Sequence, residues 1–287
     1  MLGYLSIYQF ESYGWTIFLF LPVLVGFIPS YFLTKKRQVR KSEAIRSGFL
    51  TLGLALLLLT ALALEGLICI AMAAPLLAAL TYLGARLGIT LATKNPKVTG
   101  TGILILAVGF LSFDKANHNP TLIPVTTSVE IDAPIEKVWN NIITFDSIAE
   151  PDEWIFKTGI SYPTHATIDG KGVGAIRYCN FTTGSFVEPI TTWNEPNLLQ
   201  FDVIEQPTPM NEYNPLWDIH PPHLDGYFAS QKGQFKLEKI NDSKTKLIGT
   251  TWYYVDIQPE FYWSLWSDYI IHKIHLRALN HIKHKSE

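Results

Sequence analysis

Two patterns of hydrophobic and polar positions divide this chain. Up to about residue 115 apolar residues run without alternation, and from Pro124 onward they alternate with polar ones. Residues 15–33 (WTIFLFLPVLVGFIPSYFL) carry no charge over nineteen positions, enough at 1.5 Å per residue to cross about 30 Å of hydrocarbon. Pro22 and Pro29 fall inside this stretch, where a membrane helix tolerates them. Residues 49–84 are broken only by Glu65-Gly66. That run is too long for one crossing and suits two joined by a tight turn, so spans are expected at about 47–64 and 67–85. Residues 98–113 (VTGTGILILAVGFLSF) form a fourth, shorter candidate containing glycine. A buried core helix is the alternative for each segment, but the first three are apolar all round, which favours lipid.

In the second half, residues 125–131 (VTTSVEI) predict a strand, and Asp132-Ala133-Pro134 ends it and opens a helix. Val138, Trp139, Ile142 and Ile143 give that helix an apolar stripe, and residues 147–156 predict a second short helix. Strands are expected over about 160–168, 174–182, 185–193, 198–205, 227–239 and 244–256. Turn residues separate them at Asp169-Gly170, Thr183-Gly184, residues 194–197 and Asn241-Asp242. Residues 206–226 hold five prolines and make a connection of a length more often functional than idle. From about Pro259 to His284, Trp263, Trp266, Ile270, Ile274, Ala278 and Ile282 recur at helical spacing. The fold class that follows is α+β. About four transmembrane helices occupy residues 1–115, and residues 122–287 form an antiparallel sheet wrapped on a long terminal helix. Such a grip commonly leaves a cavity between sheet and helix, the natural place for a ligand.

Charge separates the halves too. Residues 1–113 carry nine Lys/Arg against Glu11, Glu43 and Glu65, a balance of +6, and residues 114–287 carry a balance of −8. An acidic domain repels phosphate backbones, so nucleic acid is excluded as a partner. The nine basic residues are Lys35, Lys36, Arg37, Arg40, Lys41, Arg46, Arg86, Lys94 and Lys97, and all fall on one side of a four-span topology. The positive-inside rule makes that side cytoplasmic and sends the soluble domain outward; without the fourth crossing the domain is cytoplasmic. Cys69 and Cys179 lie in different halves and are not expected to pair. Residues 2–13 mix aromatics with Glu11 and lack a basic lead-in, so no cleavable signal peptide is expected. Glu65, an acid within a long apolar run, is a functional candidate by position.

Residues 128–139 (SVEIDAPIEKVW) resemble the opening of the START-like (SRPBCC) superfamily, the polyketide cyclase/dehydrase and lipid-transport or helix-grip group. The strand order and amphipathic terminal helix support the resemblance over about residues 124–285. It implies a helix-grip fold with a cavity, and, given the fused spans, a membrane-anchored bacterial subgroup with its domain outside an inner membrane. Fold alone does not choose among carriers, receptors and cyclases. The expected function is membrane-tethered binding of a hydrophobic or amphipathic, lipid-like small molecule. A cyclase/dehydratase-type enzyme and an envelope factor holding a protein partner are the alternatives.

Candidate chemistry is thinner. Arg177, Glu188 and Asp268 are acid–base candidates, with Asp202 beside them. Glu188 with Arg177 could take a proton and steady an oxyanion, or simply form an ion pair on a sheet face. Trp154, Arg177, Glu188, Trp193, His220, His223, Tyr253, Trp263 and Trp266 are candidate ligand-binding residues. Tyr253 shares a strand face with Leu247, Thr251 and Val255. His220 and His223 of the proline-rich loop, with His272 and His275 of the terminal helix, form H-x-x-H pairs able to share one ion. No fixed acid accompanies them, so no metal and no cofactor is expected. Expected partners are the bilayer and a hydrophobic small molecule, with a protein partner possible.

Overall fold

The computed structural model describes residues 13–94, 100–116 and 120–287. Residues 2–12, Lys97 and the first two residues of the fourth apolar segment, on which expectations were placed above, lie outside these. The chain divides into two compact units. One joins the N-terminal helices with Glu212–Pro222 and Asp256–Tyr262, and the other holds Pro120–Asn211, His223–Val255 and Trp263–Glu287.

In the first unit the helices are α1 (Thr16–Lys36), α2 (Lys41–Ala61), α3 (Leu67–Thr93) and α4 (Gly100–Ala116). The first three are long and apolar enough to cross a membrane. They overrun the apolar cores read from sequence, so that Lys41, Arg46 and Arg86 lie in helix rather than in loops. A helix leaving hydrocarbon keeps its internal hydrogen bonds, and charged residues only mark where water begins. Glycines let α1 and α3 touch backbone to backbone: a Cβ on Gly84 would lie 2.0 Å from the Val23 carbonyl oxygen. Ser30 Oγ donates to the Ala44 carbonyl at 2.7 Å, tying α1 to α2.

Helix α4 runs antiparallel beside the start of α1. Its Asp114 carboxylate accepts the backbone N–H groups of Trp15 (2.8 Å) and Thr16 (2.9 Å), donors that a helix start leaves unpaired. Phe110, one turn earlier, stacks on Phe20 at 5.0 Å. Gly14 is required here, since a Cβ would lie 2.3 Å from Asp114 Cγ.

The second unit is a seven-stranded sheet. Its strands are β1 (Ile123–Ile131), β2 (Pro163–Asp169), β3 (Ile176–Phe181), β4 (Gly184–Asn194), β5 (Leu198–Asp202), β6 (Phe228–Asn241) and β7 (Lys244–Val255). The order is β1-β7-β6-β5-β4-β3-β2, with each neighbouring pair antiparallel. Bulges between Ile190 and Thr192 and between Ser230 and Lys232 add the curl that lets the sheet wrap. Helix α5 (Ile135–Ile143) follows β1 as expected. The second short helix does not form. Residues 147–153 are irregular, the Ile148 N–H bonding the Thr164 carbonyl, and only Trp154–Thr158 turns, as one 3-10 turn. Pro151 explains this, because it removes a donor and restricts the residue before it.

Helix α6 (Glu260–Ser286) grips the concave face. Leu279 and Ile282 enter the main core with Ile131, Trp139, Ile142, Ile190, Leu199 and Leu247. Ile270 and Ile274 instead pack on a satellite cluster of Ile155, Phe156 and Ile160. The stripe read from sequence therefore shares Trp263 and Ile282 with the buried face, while Ser267, Ile271 and Leu279 are buried beside it and Trp266, Ile270, Ile274 and Ala278 flank them. Arg277 fastens the helix side by donating to the Ala149 (2.6 Å) and Pro163 (3.0 Å) carbonyls. Leu279→Ala is expected to destabilise this unit by about 2–5 kcal/mol, the cost of a core cavity that relaxes incompletely; the urea midpoint followed by tryptophan fluorescence measures it.

Candidate functional site

Strand alternation sends Val125, Thr127 and Val129 of β1, and Leu247, Gly249, Thr251 and Tyr253 of β7, toward α6. Toward the helix C-terminus this interface is apolar. Leu279 lies 3.6 Å from the point where a Gly249 Cβ would be, and Trp139 meets Trp193 edge-on at 5.7 Å. One to three turns earlier on α6 it becomes polar. Thr127 Oγ1 lies 2.8 Å from His272 Nδ1 and 3.1 Å from His275 Nδ1. Thr251 Oγ1 lies 2.8 Å from His275 Nε2. Two turns further toward the helix N-terminus, the fully buried Tyr253 donates its phenol proton to Asp268 Oδ1 at 2.7 Å.

His275 thus has a hydroxyl at each ring nitrogen. Burial, with His272 as a like charge beside it, pushes its pKa down to about 4, so the neutral imidazole prevails at neutral pH. One nitrogen then donates and the other accepts. The set offers a carboxylate, a phenol, a neutral imidazole and two hydroxyls on one wall, groups suited to orienting a carbonyl, hydroxyl or carboxyl on an otherwise oily molecule.

A second polar centre sits inside the main core. Arg177 and Glu188 are cross-strand partners in β3 and β4 and form an ion pair. Arg177 also donates Nε to the Ile143 carbonyl at 3.2 Å. Phe145, Phe201 and Phe235 surround the guanidinium, with ring centroids at 5.7, 5.6 and 5.5 Å. Gly233 makes this possible, because a Cβ there would lie 2.6 Å from the Phe201 ring. Burial raises the Glu188 carboxyl pKa, with Arg177 opposing the shift. Only 1% of the Arg177 surface and 5% of the Glu188 surface is exposed, so the pair acts on the fold as a brace in this conformation.

The remaining candidates separate. Trp263 is buried and Trp266 half-buried on α6, Trp193 lies in the core margin, and Trp154 is exposed on its 3-10 turn. Asp202 is exposed at the end of β5, on the opposite parity to the inward Leu199 and Phe201. His220 is exposed in Glu212–Pro222, a segment of the unit that holds the N-terminal helices. His223 is buried on the short 3-10 turn Pro222–Leu224. His272 and His275 are brought together at Thr127, whose Oγ1 lies beside the Nδ1 atom of each. Thr127 and Thr251 were not among the candidates, although strand parity put Thr251 on the Tyr253 face and makes both threonines inward.

Residues 123–247 match the family described as polyketide cyclase / dehydrase and lipid transport. The second unit has a START-like fold. Several solved structures are similar to it at low identity. A protein from Nitrosospira multiformis is 19% identical (TM-score 0.37) and covers 57% of this chain and 97% of its own. Truncated norcoclaurine synthase from Thalictrum flavum is 12% identical (TM-score 0.37), covering 57% and 93%. Zhui aromatase/cyclase from Streptomyces sp. R1128 is 10% identical (TM-score 0.36), covering 58% and 94%. These likenesses concern fold and carry no chemistry across. No curated protein matches the chain.

Two outcomes follow for the START-like domain. Glu188→Leu strands a buried guanidinium and should cost about 3–5 kcal/mol, while Arg177→Met with Glu188→Leu should recover much of that loss; urea midpoints of the two variants decide it. For His275, the unfolded chain takes up a proton below its ordinary pKa of 6.5, whereas the folded domain resists until about 4. Stability is therefore complete above pH 6.5 and falls as pH drops from 6.5 through 4, by roughly 2–3 kcal/mol after allowing for partial exposure. Urea unfolding at pH 7.5 and 4.5 should show that loss shrinking in His275→Gln.

Proposed function

We propose that this chain is a multi-pass membrane protein whose START-like domain binds a hydrophobic or amphipathic small molecule against the polar wall beneath α6. The observation that carries the reading is the concentration of Thr127, Thr251, Tyr253, Asp268 and His275 on the inward face of an otherwise apolar grip. Polar groups buried for packing alone cost about 1–3 kcal/mol each unless paired. Here they pair with one another, and a ligand's polar end can exchange for one of those bonds while its apolar body takes the oily surroundings. Burial of that body would supply ~25 cal/mol per Å² before ordering costs. The family's lipid-transport members agree with a lipid-like ligand.

Contacts within the membrane unit support a domain on the side opposite the basic loops. Asp114, the last acid before the sheet, caps the start of α1. Gln258 N–H, just after β7, donates to the Tyr13 carbonyl at 2.9 Å. The segment between β5 and β6 reaches the α2–α3 turn, where Leu67 N–H donates to the Tyr213 carbonyl at 2.9 Å. With positive-inside orientation that side is extracytoplasmic, in agreement with a periplasmic domain on a bacterial inner membrane.

A cyclase/dehydratase activity is the second reading, favoured by the Tyr253–Asp268 hydrogen bond: a carboxylate to take a proton beside a carbonyl and a phenol to steady the oxyanion. The test uses the full chain in nanodiscs with a pyrene-labelled fatty acid. Saturable binding should weaken about tenfold, some 1.4 kcal/mol, in Thr251→Val with Tyr253→Phe. Equal binding by wild type and variant would end the ligand reading. Lost turnover of a small polyketide in Asp268→Asn, with probe affinity kept, would favour the enzyme.

A further inference from the structure

The membrane unit holds a second cluster of reactive side chains, independent of the START-like interior. Helices α2 and α3 are joined by a tight turn in which Ala63 takes a left-handed conformation (φ 59°). Glu65 ends that turn, and Cys69 lies in the first turns of α3. Glu212 comes to them from 143 residues beyond Cys69 and accepts a hydrogen bond from its thiol. The donor atoms of Glu65, Cys69 and Glu212 all lie within 4.8 Å of one another.

The arrangement is held by contacts that do not involve those three side chains. Leu67 N–H donates to the Tyr213 carbonyl at 2.9 Å. Asn214 Nδ2 donates to the carbonyls of Thr60 (2.9 Å) and Glu65 (3.4 Å). Trp217 Nε1 donates to the Ala61 carbonyl at 3.0 Å. Gly66 completes the fit, since a Cβ there would lie 1.7 Å from Glu212 Oε2. Glu212 and Asn214 are both buried, at 8% and 7% exposure. The loop is thus delivered to the hairpin with a carboxylate aimed at a thiol and a second carboxylate.

Capping of α3 by Glu212 would account for one carboxylate at a helix start. It does not account for a second carboxylate and a thiol within the same few ångströms, where ionised neighbours repel. A divalent cation removes that repulsion. We propose that Glu65, Cys69 and Glu212 bind one divalent transition-metal ion of the zinc type, tying the 212–222 loop to the α2–α3 turn.

The geometry suits it. Metal–oxygen bonds of about 2.0–2.2 Å and a metal–sulfur bond of about 2.3 Å place tetrahedral donors roughly 3.3–3.8 Å apart. The three donor atoms need contract by only about 1 Å from their widest allowed separation to reach that. Thiolate beside carboxylate selects a borderline ion such as Zn²⁺ or Co²⁺ over Mg²⁺ or Ca²⁺. On binding, the Cys69 thiol gives its proton to solvent, its sulfur becomes the ligand, and affinity rises with pH. Water or another side chain fills the remaining position.

The test is metal binding by the full chain in nanodiscs, after chelator treatment, in a Cys179→Ser background. Co²⁺ should bind at one equivalent per chain with a near-ultraviolet thiolate charge-transfer band, and Zn²⁺ should displace it. Zn²⁺ should also slow maleimide labelling of Cys69, with labelling restored by chelator. Cys69→Ser should abolish the band, and Glu65→Gln and Glu212→Gln should each weaken Zn²⁺ binding at least about tenfold while helix content by circular dichroism is unchanged. The two Gln variants decide the matter if Cys69→Ser fails to fold. Absence of a charge-transfer band, or Zn²⁺ affinity unaltered in both Gln variants, would overturn the proposal.

Discussion

The START-like domain depends on burying one seam of α6 against a sheet that curls to meet it. An isolated helix of this polarity gains little from its own hydrogen bonds, and an open antiparallel sheet leaves one apolar face wet. Each therefore supplies the other's missing surface. The contact is tight where Leu279 crosses Gly249 and Ile282 reaches the core, and residues flanking the seam fix the helix from the side, with Arg277 on two carbonyls and His281 on Asp146. Bulges in β4 and β6 bring the strands round to meet it.

That dependence explains why the interior is chemically uneven. Where the seam is apolar, nothing but shape holds it, and large residues fill the space. Toward the helix N-terminus, side chains on the same inward parity are Thr127, Thr251 and Tyr253, and α6 answers with His272, His275 and Asp268. Every one of these groups finds a partner across the interface, so the polar half of the grip is held by directional bonds rather than by volume. Directional bonds can be exchanged for those of an incoming molecule more readily than a packed aliphatic core can be reopened. The Arg177–Glu188 pair is polar in composition but resembles the apolar half in behaviour, because three phenyl rings and a backbone carbonyl complete its enclosure.

Alternation in β1 and β7 was legible from the residues alone, as were the terminal helix and the turn signals that separate the strands. Those features follow from local period and turn chemistry. The Arg177–Glu188 pairing was not fixed by the turn read at Thr183-Gly184, because the actual two-residue turn is Thr182-Thr183, one position earlier, and it is this turn that sets the register of β3 on β4. What stayed hidden depends on long-range geometry. Nothing local links Thr127 to His275, Glu212 to Cys69, or Asp114 to Trp15, although each pair consists of ordinary residues in plain view. The helix expected over 147–156 failed for a related reason, since Ile148 finds its partner in Thr164 on another strand.

The course of α4 turns on a similar long-range contact. Hydropathy leaves the fourth apolar segment short, so its length alone is a fragile guide to where its two ends lie. Asp114 supplies an independent criterion. A carboxylate at the end of α4 that caps the start of α1 requires those two ends to lie together, and α1 finishes among Lys35, Lys36 and Arg37 at its far end. Parting those two ends would take the carboxylate away from the donors it satisfies and leave two helix-start N–H groups unpaired. The charge asymmetry of the loops and the capping of α1 are separate physical effects, one written in the sequence and one made only in the folded unit.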